Sequence, residues 1–291
     1  MRSWLFVPGD SERKLAKAAD CGADVLIIDL EDSVAADNKE AARCIACDFL
    51  KSAPGGKCRL YIRINALDTG LTDADLEAVL EGAPDGVMLP KTNGGVDVTH
   101  LDAKLNAREP MAGLEQGKTH IAVVATETPA AIFGLGSYAA ASPRLDAMSW
   151  GAEDLSAAIG ATASRDEMGR LTAPFELARS LCLFGATAAG VQPVDTVFVN
   201  FRDDDGLAAE CRAAARDGFT GKLAIHPGQI SVINEIFTPS AADIARARAV
   251  IAAFEASPGT GVASLDGAMI DRPHLKRAER IIERAKAAGT V

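Results

Sequence analysis

The chain has 291 residues, of which 48% are hydrophobic and 24% charged, with 30 basic against 40 acidic side chains and a net charge of −10. This composition excludes a mainly disordered chain and a disulfide-stapled miniprotein. The acidic balance excludes a broad basic nucleic-acid surface, while leaving room for an anionic small molecule met by a few placed cations.

No apolar run reaches the ~18 residues of a membrane span, and residues 1–10 lack the charged start and long apolar stretch of a signal peptide. A cytoplasmic protein with no membrane or nucleic-acid partner is the expectation. The cysteines are Cys21, Cys44, Cys47, Cys58, Cys182 and Cys211. Cys44 and Cys47 make a lone CxxC in a helix-like stretch with no second pair and no nearby histidine, which is short of the roughly four ligands of a zinc site. Reduced, mostly buried thiols are the expectation.

Short runs rich in Val, Ile and Leu, each closed by a turn signal, recur at residues 4–7, 25–30, 60–64, 86–89, 121–125, 145–150, 196–199 and 223–225. Runs that are apolar throughout suit strands buried on both faces, as in a parallel sheet. Between them lie helix-patterned stretches at residues 11–20, 38–50, 73–81 and 173–189. Asp10 or Ser11 suits a helix start, Pro174 the first turn of another, and Gly190 a helix stop. The βα alternation predicts an α/β protein, a (β/α)8 TIM barrel with a C-terminal helical extension. The competing doubly wound sheet usually announces a glycine-rich loop after its first strand, and Val7-Pro8-Gly9-Asp10 is not one. The barrel is expected over residues 1–228. The extension is expected over 229–291, with helices at 241–256 and 273–288 and a loop at 257–261, packing outside the barrel, covering its mouth or reaching a neighbouring subunit.

Chemistry in this fold sits at the C-terminal ends of the strands. There the sequence places Asp29-Leu30-Glu31-Asp32, Arg63, Pro90-Lys91, Glu127, Ala152-Glu153-Asp154 and His226. A charge inside a strand pattern is expensive unless paired, so Arg63 is either ion-paired with Asp29, Glu31 or Asp32, or a fork for a carboxylate or enolate oxygen. Glu127 and Asp154 come from neighbouring strand ends. Such a pair needs a proton or a cation between its members, and oxygen-only ligands favour Mg2+. The plainer alternative is salt bridging, or for Asp154 capping of a helix that starts at Leu155. Strand alternation puts Asp29 and Glu31 on one face and Asp32 on the other. Lys91 is read as an electrostatic partner of these acids rather than a Schiff base. His226 is expected to hydrogen-bond in the core. Arg13 and Lys14, on the first helix, are either a solvated face or phosphate contacts.

These residues resemble a known family. Leu5-Phe6-Val7-Pro8-Gly9-Asp10, Ile28-Asp29-Leu30-Glu31-Asp32-Ser33-Val34, Arg63-Ile64-Asn65, Pro90-Lys91, Glu127-Thr128-Pro129, Gly151-Ala152-Glu153-Asp154-Leu155, Ala224-Ile225-His226-Pro227 and Met269-Ile270-Asp271-Arg272-Pro273 look, in this order, like the citrate lyase β-subunit-like and malyl-CoA lyase group of the HpcH/HpaI aldolase superfamily. The resemblance implies a (β/α)8 barrel and a homotrimer or dimer of trimers. It implies Mg2+ held by Glu127 and Asp154, Arg63 on the reacting oxygens, and substrate held at Ala152, Glu153 and Asp154. Asp29, Glu31, Asp32 and Lys91 would support the site. Arg13 and Lys14 would lie toward the CoA phosphates, and Asp271 would enter a neighbouring subunit's site as acid/base. Asn200 departs from relatives that carry an acid at the end of strand seven. The implied reaction is Mg2+-dependent cleavage of a β-hydroxyacyl-CoA, of citramalyl-CoA or malyl-CoA type, to acetyl-CoA and a 2-oxo acid (pyruvate, glyoxylate or oxaloacetate). A citrate lyase β subunit acting on an acyl-carrier thioester in a larger complex is one alternative. A non-catalytic metal- and oxo-acid-binding scaffold is the alternative from another class.

Overall fold

The structure is a computed structural model that describes residues 1–53, 56, 58–257, 259 and 261–291. Positions 258 and 260, in the loop expected at 257–261, lie outside the described residues. The chain divides into two compact units, Met1–Ile233 and Asn234–Val291.

In the first unit eight parallel strands close into a barrel in chain order. They are β1 (Ser3–Pro8), β2 (Val25–Asp29), β3 (Arg59–Arg63), β4 (Gly86–Leu89), β5 (His120–Val124), β6 (Leu145–Ser149), β7 (Gln192–Asp195) and β8 (Gly221–Ala224). Helices alternate with them: α1 (Glu12–Ala19), α2 (Lys39–Ser52), α3 (Thr72–Leu80), α4 (Gly95–Arg108), α5 (Pro129–Gly134), α6 (Glu153–Ile159), α7 (Ala173–Ala189) and α8 (Asp204–Asp217); α9 (Ile230–Phe237) spans the division between the two units. The expected architecture is therefore the observed one. Each strand sends alternate side chains into one core, among them Trp4, Ile27, Tyr61, Met88, Val124 and Leu223. Trp4 and Tyr61 meet edge to face at 5.1 Å. Gly86 makes room for them, because a Cβ there would stand 2.3 Å from the Tyr61 ring. At the chain's turn into the next strand, α7 stops at Gly190 in the left-handed conformation (φ 73°), as expected.

Strand seven departs from the expectation. It spans Gln192–Asp195, not residues 196–199. Proline has no N–H for a ladder and argues against a central strand, yet Pro193 is accommodated here opposite Met148 on β6. The acid at the end of this strand is Asp195, and Asn200 lies beyond it in the following turn.

The second unit holds α10 (Ala241–Glu255), an antiparallel hairpin of β9 (Val262–Leu265) and β10 (Ala268–Asp271), and α11 (Arg272–Ala287). Its own small core contains Ala247, Val250, Ala263, Ile270 and Ala278. The hairpin was not expected. Its turn has Asp266 at φ 52° and Gly267 at φ 78°, the paired positive φ values that Asp-Gly favours in a two-residue hairpin. No described helix is long and apolar enough to cross a membrane. Of the cysteines, Cys47, Cys182 and Cys211 are buried; Cys44 is exposed and Cys21 and Cys58 are partly so, which corrects the expectation of mostly buried thiols. The exposed Cys44 sits on the outward face of α2, and Cys21 and Cys58 lie in connections outside the helices and strands.

Candidate active site

Because all eight strands run the same way, their C-terminal ends form one rim. A cavity of about 370 Å3 opens there, and Asp29, Asp32, Arg63, Glu127, Ala152, Glu153 and Asp154 all line it. Of the other residues singled out at the strand ends, Glu31, Lys91 and His226 do not line it. Phe6, Val124, Trp150 and Leu223 supply apolar wall.

Arg63 ends β3 directly opposite Asp29, which ends β2. Its Nε and Nη2 donate to the two Asp29 carboxylate oxygens at 2.7 and 2.6 Å. Its Nη1 stands 3.1 Å from Glu31, and its guanidinium lies over the Phe6 ring at 4.8 Å. Burial alone would raise the Asp29 carboxyl, but the paired guanidinium more than reverses this and holds it below the usual carboxylate range. The ion pair and the cavity position coexist. The two readings of Arg63 are thus not exclusive: a guanidinium fixed by Asp29 is also part of the cavity wall. Glu31 is buried, and burial raises its carboxyl against the pull of Arg63 and Lys91.

Lys91 follows β4 with φ at 54°, a left-handed conformation that is strained for a residue with a side chain. In this conformation its backbone N–H donates to Glu127 Oε2 at 2.5 Å. Its ammonium meets Glu31, lies 3.3 Å from Asp32 and 3.7 Å from Asp154. One residue therefore ties the acids of three strand ends together. Burial lowers its affinity for a proton, but Glu31, Asp32 and Asp154 outweigh that and keep it cationic.

Glu127 is 4% exposed. Burial pushes its carboxyl up to about 8, with Asp154 and Glu31 pushing the same way. Gly151 lets the next strand end pass close by; a Cβ there would stand 3.0 Å from Glu127 Cγ and 3.4 Å from Oε1. Asp154 does not cap a helix. It sits inside the first turn of α6, which starts at Glu153 with Ala152 as N-cap. Two hard oxygen donors, one of them buried and disfavouring its own charge, fit a small divalent cation. Among the described residues no three His, Cys, Asp or Glu side chains gather as a cage, so substrate and water would complete the shell, which is the habit of Mg2+.

A second cavity of about 420 Å3 shares Phe6, Pro8 and Ile225 with the first and is lined by Arg13 and Lys14. The structure adds Lys17, one helical turn on. His226 is also on this wall. It is exposed rather than in the core: its chain leaves β8 at Ala224, Nδ1 accepts from Gly228 N–H at 3.1 Å, and its ring stacks on Phe201 at 4.8 Å.

Sequence reasoning missed Lys39, whose ammonium donates to Leu30 O, Glu31 O and Asn65 Oδ1 at 2.6, 2.7 and 2.9 Å and so fixes the loop that carries Glu31 and Asp32. The available signal was a cation opening α2, where the helix dipole disfavours one. Asp271 belongs to the second unit. It is the N-cap of α11, half-exposed, and its carboxylate pairs with His274 Nδ1 at 2.5 Å.

Residues 2–227 match the HpcH/HpaI aldolase/citrate lyase family. The chain is 36% identical to the mitochondrial citramalyl-CoA lyase of Rattus norvegicus over 296 residues, covering 97% of this chain and 85% of the relative. It is 37% identical to a (3S)-malyl-CoA thioesterase of Cereibacter sphaeroides over 290 residues, covering 98% and 95%. Among solved structures, protein CitE from Mycobacterium tuberculosis in complex with magnesium, acetoacetate and coenzyme A superposes with a TM-score of 0.76 at 35% identity, covering 98% of each chain.

Proposed function

The chain belongs to the HpcH/HpaI aldolase/citrate lyase family, and from that premise we propose that it is a Mg2+-dependent carbon–carbon lyase that cleaves a β-hydroxyacyl-CoA to acetyl-CoA and a 2-oxo acid. Citramalyl-CoA, giving pyruvate, is ranked ahead of malyl-CoA. The observation that carries the reading is the convergence of Glu127, Asp154 and Arg63 on one cavity.

Glu127 and Asp154 would hold the metal. When bound, Mg2+ supplies Lewis-acid stabilisation of the oxygen that becomes the 2-oxo-acid carbonyl. Backbone at Ala152 to Asp154 receives the substrate carboxylate. Arg63, locked by Asp29, presents fixed positive charge to the thioester oxygen as it becomes an enolate; one such preorganised donor is worth ~3–4 kcal/mol. Glu31, Asp32 and Lys91 keep the acids in place. Phe6, Val124 and Leu223 keep water from the enolate. Arg13 and Lys14, with Lys17, face the phosphates of the CoA. Asp271, delivered by a neighbouring copy in a homotrimer or dimer of trimers, protonates the enolate carbon or removes that proton in the condensation direction. In this reading the second unit acts as a lid on its neighbour, and the protein works in the cytoplasm.

The test is turnover of citramalyl-CoA, malyl-CoA, citryl-CoA and hydroxymethylglutaryl-CoA with Mg2+, with products identified. Acetyl-CoA plus a 2-oxo acid supports the lyase. Free CoA plus the intact hydroxy acid identifies a thioesterase, and no turnover of any of the four overturns the reading.

A further inference from the structure

A second charged cluster lies behind the cavity wall. Asp195 ends β7 and is 1% exposed, and Lys222 on β8 is fully buried. Asp195 Oδ1 accepts the Trp150 indole N–H at 2.7 Å and Arg179 Nε at 3.2 Å, and Oδ2 accepts from Lys222 Nζ at 3.1 Å. Each cation has a second acid: Lys222 donates to Glu210 at 2.7 Å and Arg179 to Asp217 at 2.7 Å. Trp150 lines the cavity next to Gly151, as do Thr196 and Val197 immediately after Asp195; Asp195 itself does not face the cavity.

A buried indole N–H is satisfied by any carbonyl. Here it is gripped by an anion clamped between two cations from two further elements, which makes a charge-assisted and geometrically fixed bond. The other tryptophan shows that packing alone does not require this: Trp4 is as deeply buried, yet its Nε1 has no hydrogen-bond partner among the described residues. The two differ in place, Trp4 within the barrel core and Trp150 on the wall beside Asp154.

We propose that Asp195 is a positioning residue: it fixes the Trp150 indole as the wall of the pocket that receives the 2-oxo acid, and so sets which acid side chains fit. The inference rests on the lyase reading above. Its test is calorimetric binding of glyoxylate and of oxaloacetate, each with Mg2+, to the wild type, Trp150→Phe and Asp195→Asn. Loosening the wall admits the larger acid. The ratio of the two dissociation constants therefore shifts by about tenfold in W150F, the scale of one small-group difference in a pocket, and in the same direction in D195N, although nothing facing the cavity has changed there. Arg179→Gln, which takes one donor from the same Asp195 oxygen, repeats the direction and serves if D195N does not fold. A purely structural role would weaken both acids equally. A wild-type ratio retained in D195N, or in R179Q where D195N is lost, overturns the inference alone. A wild type that binds neither of these acids nor pyruvate overturns the lyase reading and the inference with it.

Discussion

Asp29→Asn is the sharpest perturbation of the Arg63 fork. Asp29 Oδ1 accepts from Glu31 N–H at 2.9 Å and Arg63 Nε at 2.7 Å; Oδ2 accepts from Ser33 N–H at 3.1 Å and Arg63 Nη2 at 2.6 Å. Asparagine keeps the shape but replaces one oxygen by an NH2 group. Whichever way the amide turns, that group faces two donors. One backbone bond, about 0.5–1.5 kcal/mol, and one bond to a charged group, about 1.5–3 kcal/mol, are lost. The expected destabilisation is about 2–4.5 kcal/mol, overlapping the about 3–5 kcal/mol measured when a buried pair loses one partner. Urea unfolding at pH 7 reads it. Because the folded carboxyl is held below its unfolded value, the stabilisation is fully present above the unfolded value near pH 4 and is lost as pH falls through the folded one. The gap between wild type and D29N should therefore be wide at pH 7 and close in acid. Turnover should fall by about 100-fold as the fork loosens. A D29N protein within 0.5 kcal/mol of the wild type at pH 7, or a gap independent of pH, would refute the reasoning.

Other consequences are as direct. Asp271→Asn should abolish turnover while leaving Mg2+-dependent binding of pyruvate intact; retained turnover removes Asp271 from the acid/base role. Lys91 meets Glu31, Asp32 and Asp154, so borohydride treatment with pyruvate should leave the protein mass unchanged, whereas a stable pyruvyl adduct on Lys91 would show Schiff-base chemistry. Gly86→Ala places a Cβ 2.3 Å from the Tyr61 ring and should destabilise by about 1–3 kcal/mol through overpacking, read by thermal unfolding.

What the sequence made legible follows from burial. Parallel barrel strands are apolar on both faces, so runs such as Val25–Asp29 and Gly86–Leu89 stand out. Strand seven was hidden because Gln192, Pro193 and Asp195 break its run, while Thr196 to Val199 imitate one just downstream. The β9–β10 hairpin was missed because its strands are short and half-exposed, although Asp266-Gly267 was a usable turn signal. Arg63, Glu127 and Asp154 were found because polar groups at the ends of buried runs are conspicuous. Lys222, a lysine inside a strand pattern, carries the same warning as Arg63 and would have led to Asp195. The His226 environment was not readable, because its exposure and its stacking on Phe201 depend on where β8 ends.

The central claim is that Glu127 and Asp154 jointly hold the metal to which the oxo acid binds. Calorimetric titration of pyruvate with and without Mg2+, into wild type, Glu127→Gln and Asp154→Asn, tests it most directly. The account predicts binding to the wild type only with Mg2+, and loss of that binding in both variants while their unfolding midpoints stay near the wild type's. Pyruvate binding that is indifferent to Mg2+, or that survives in either variant, would contradict it.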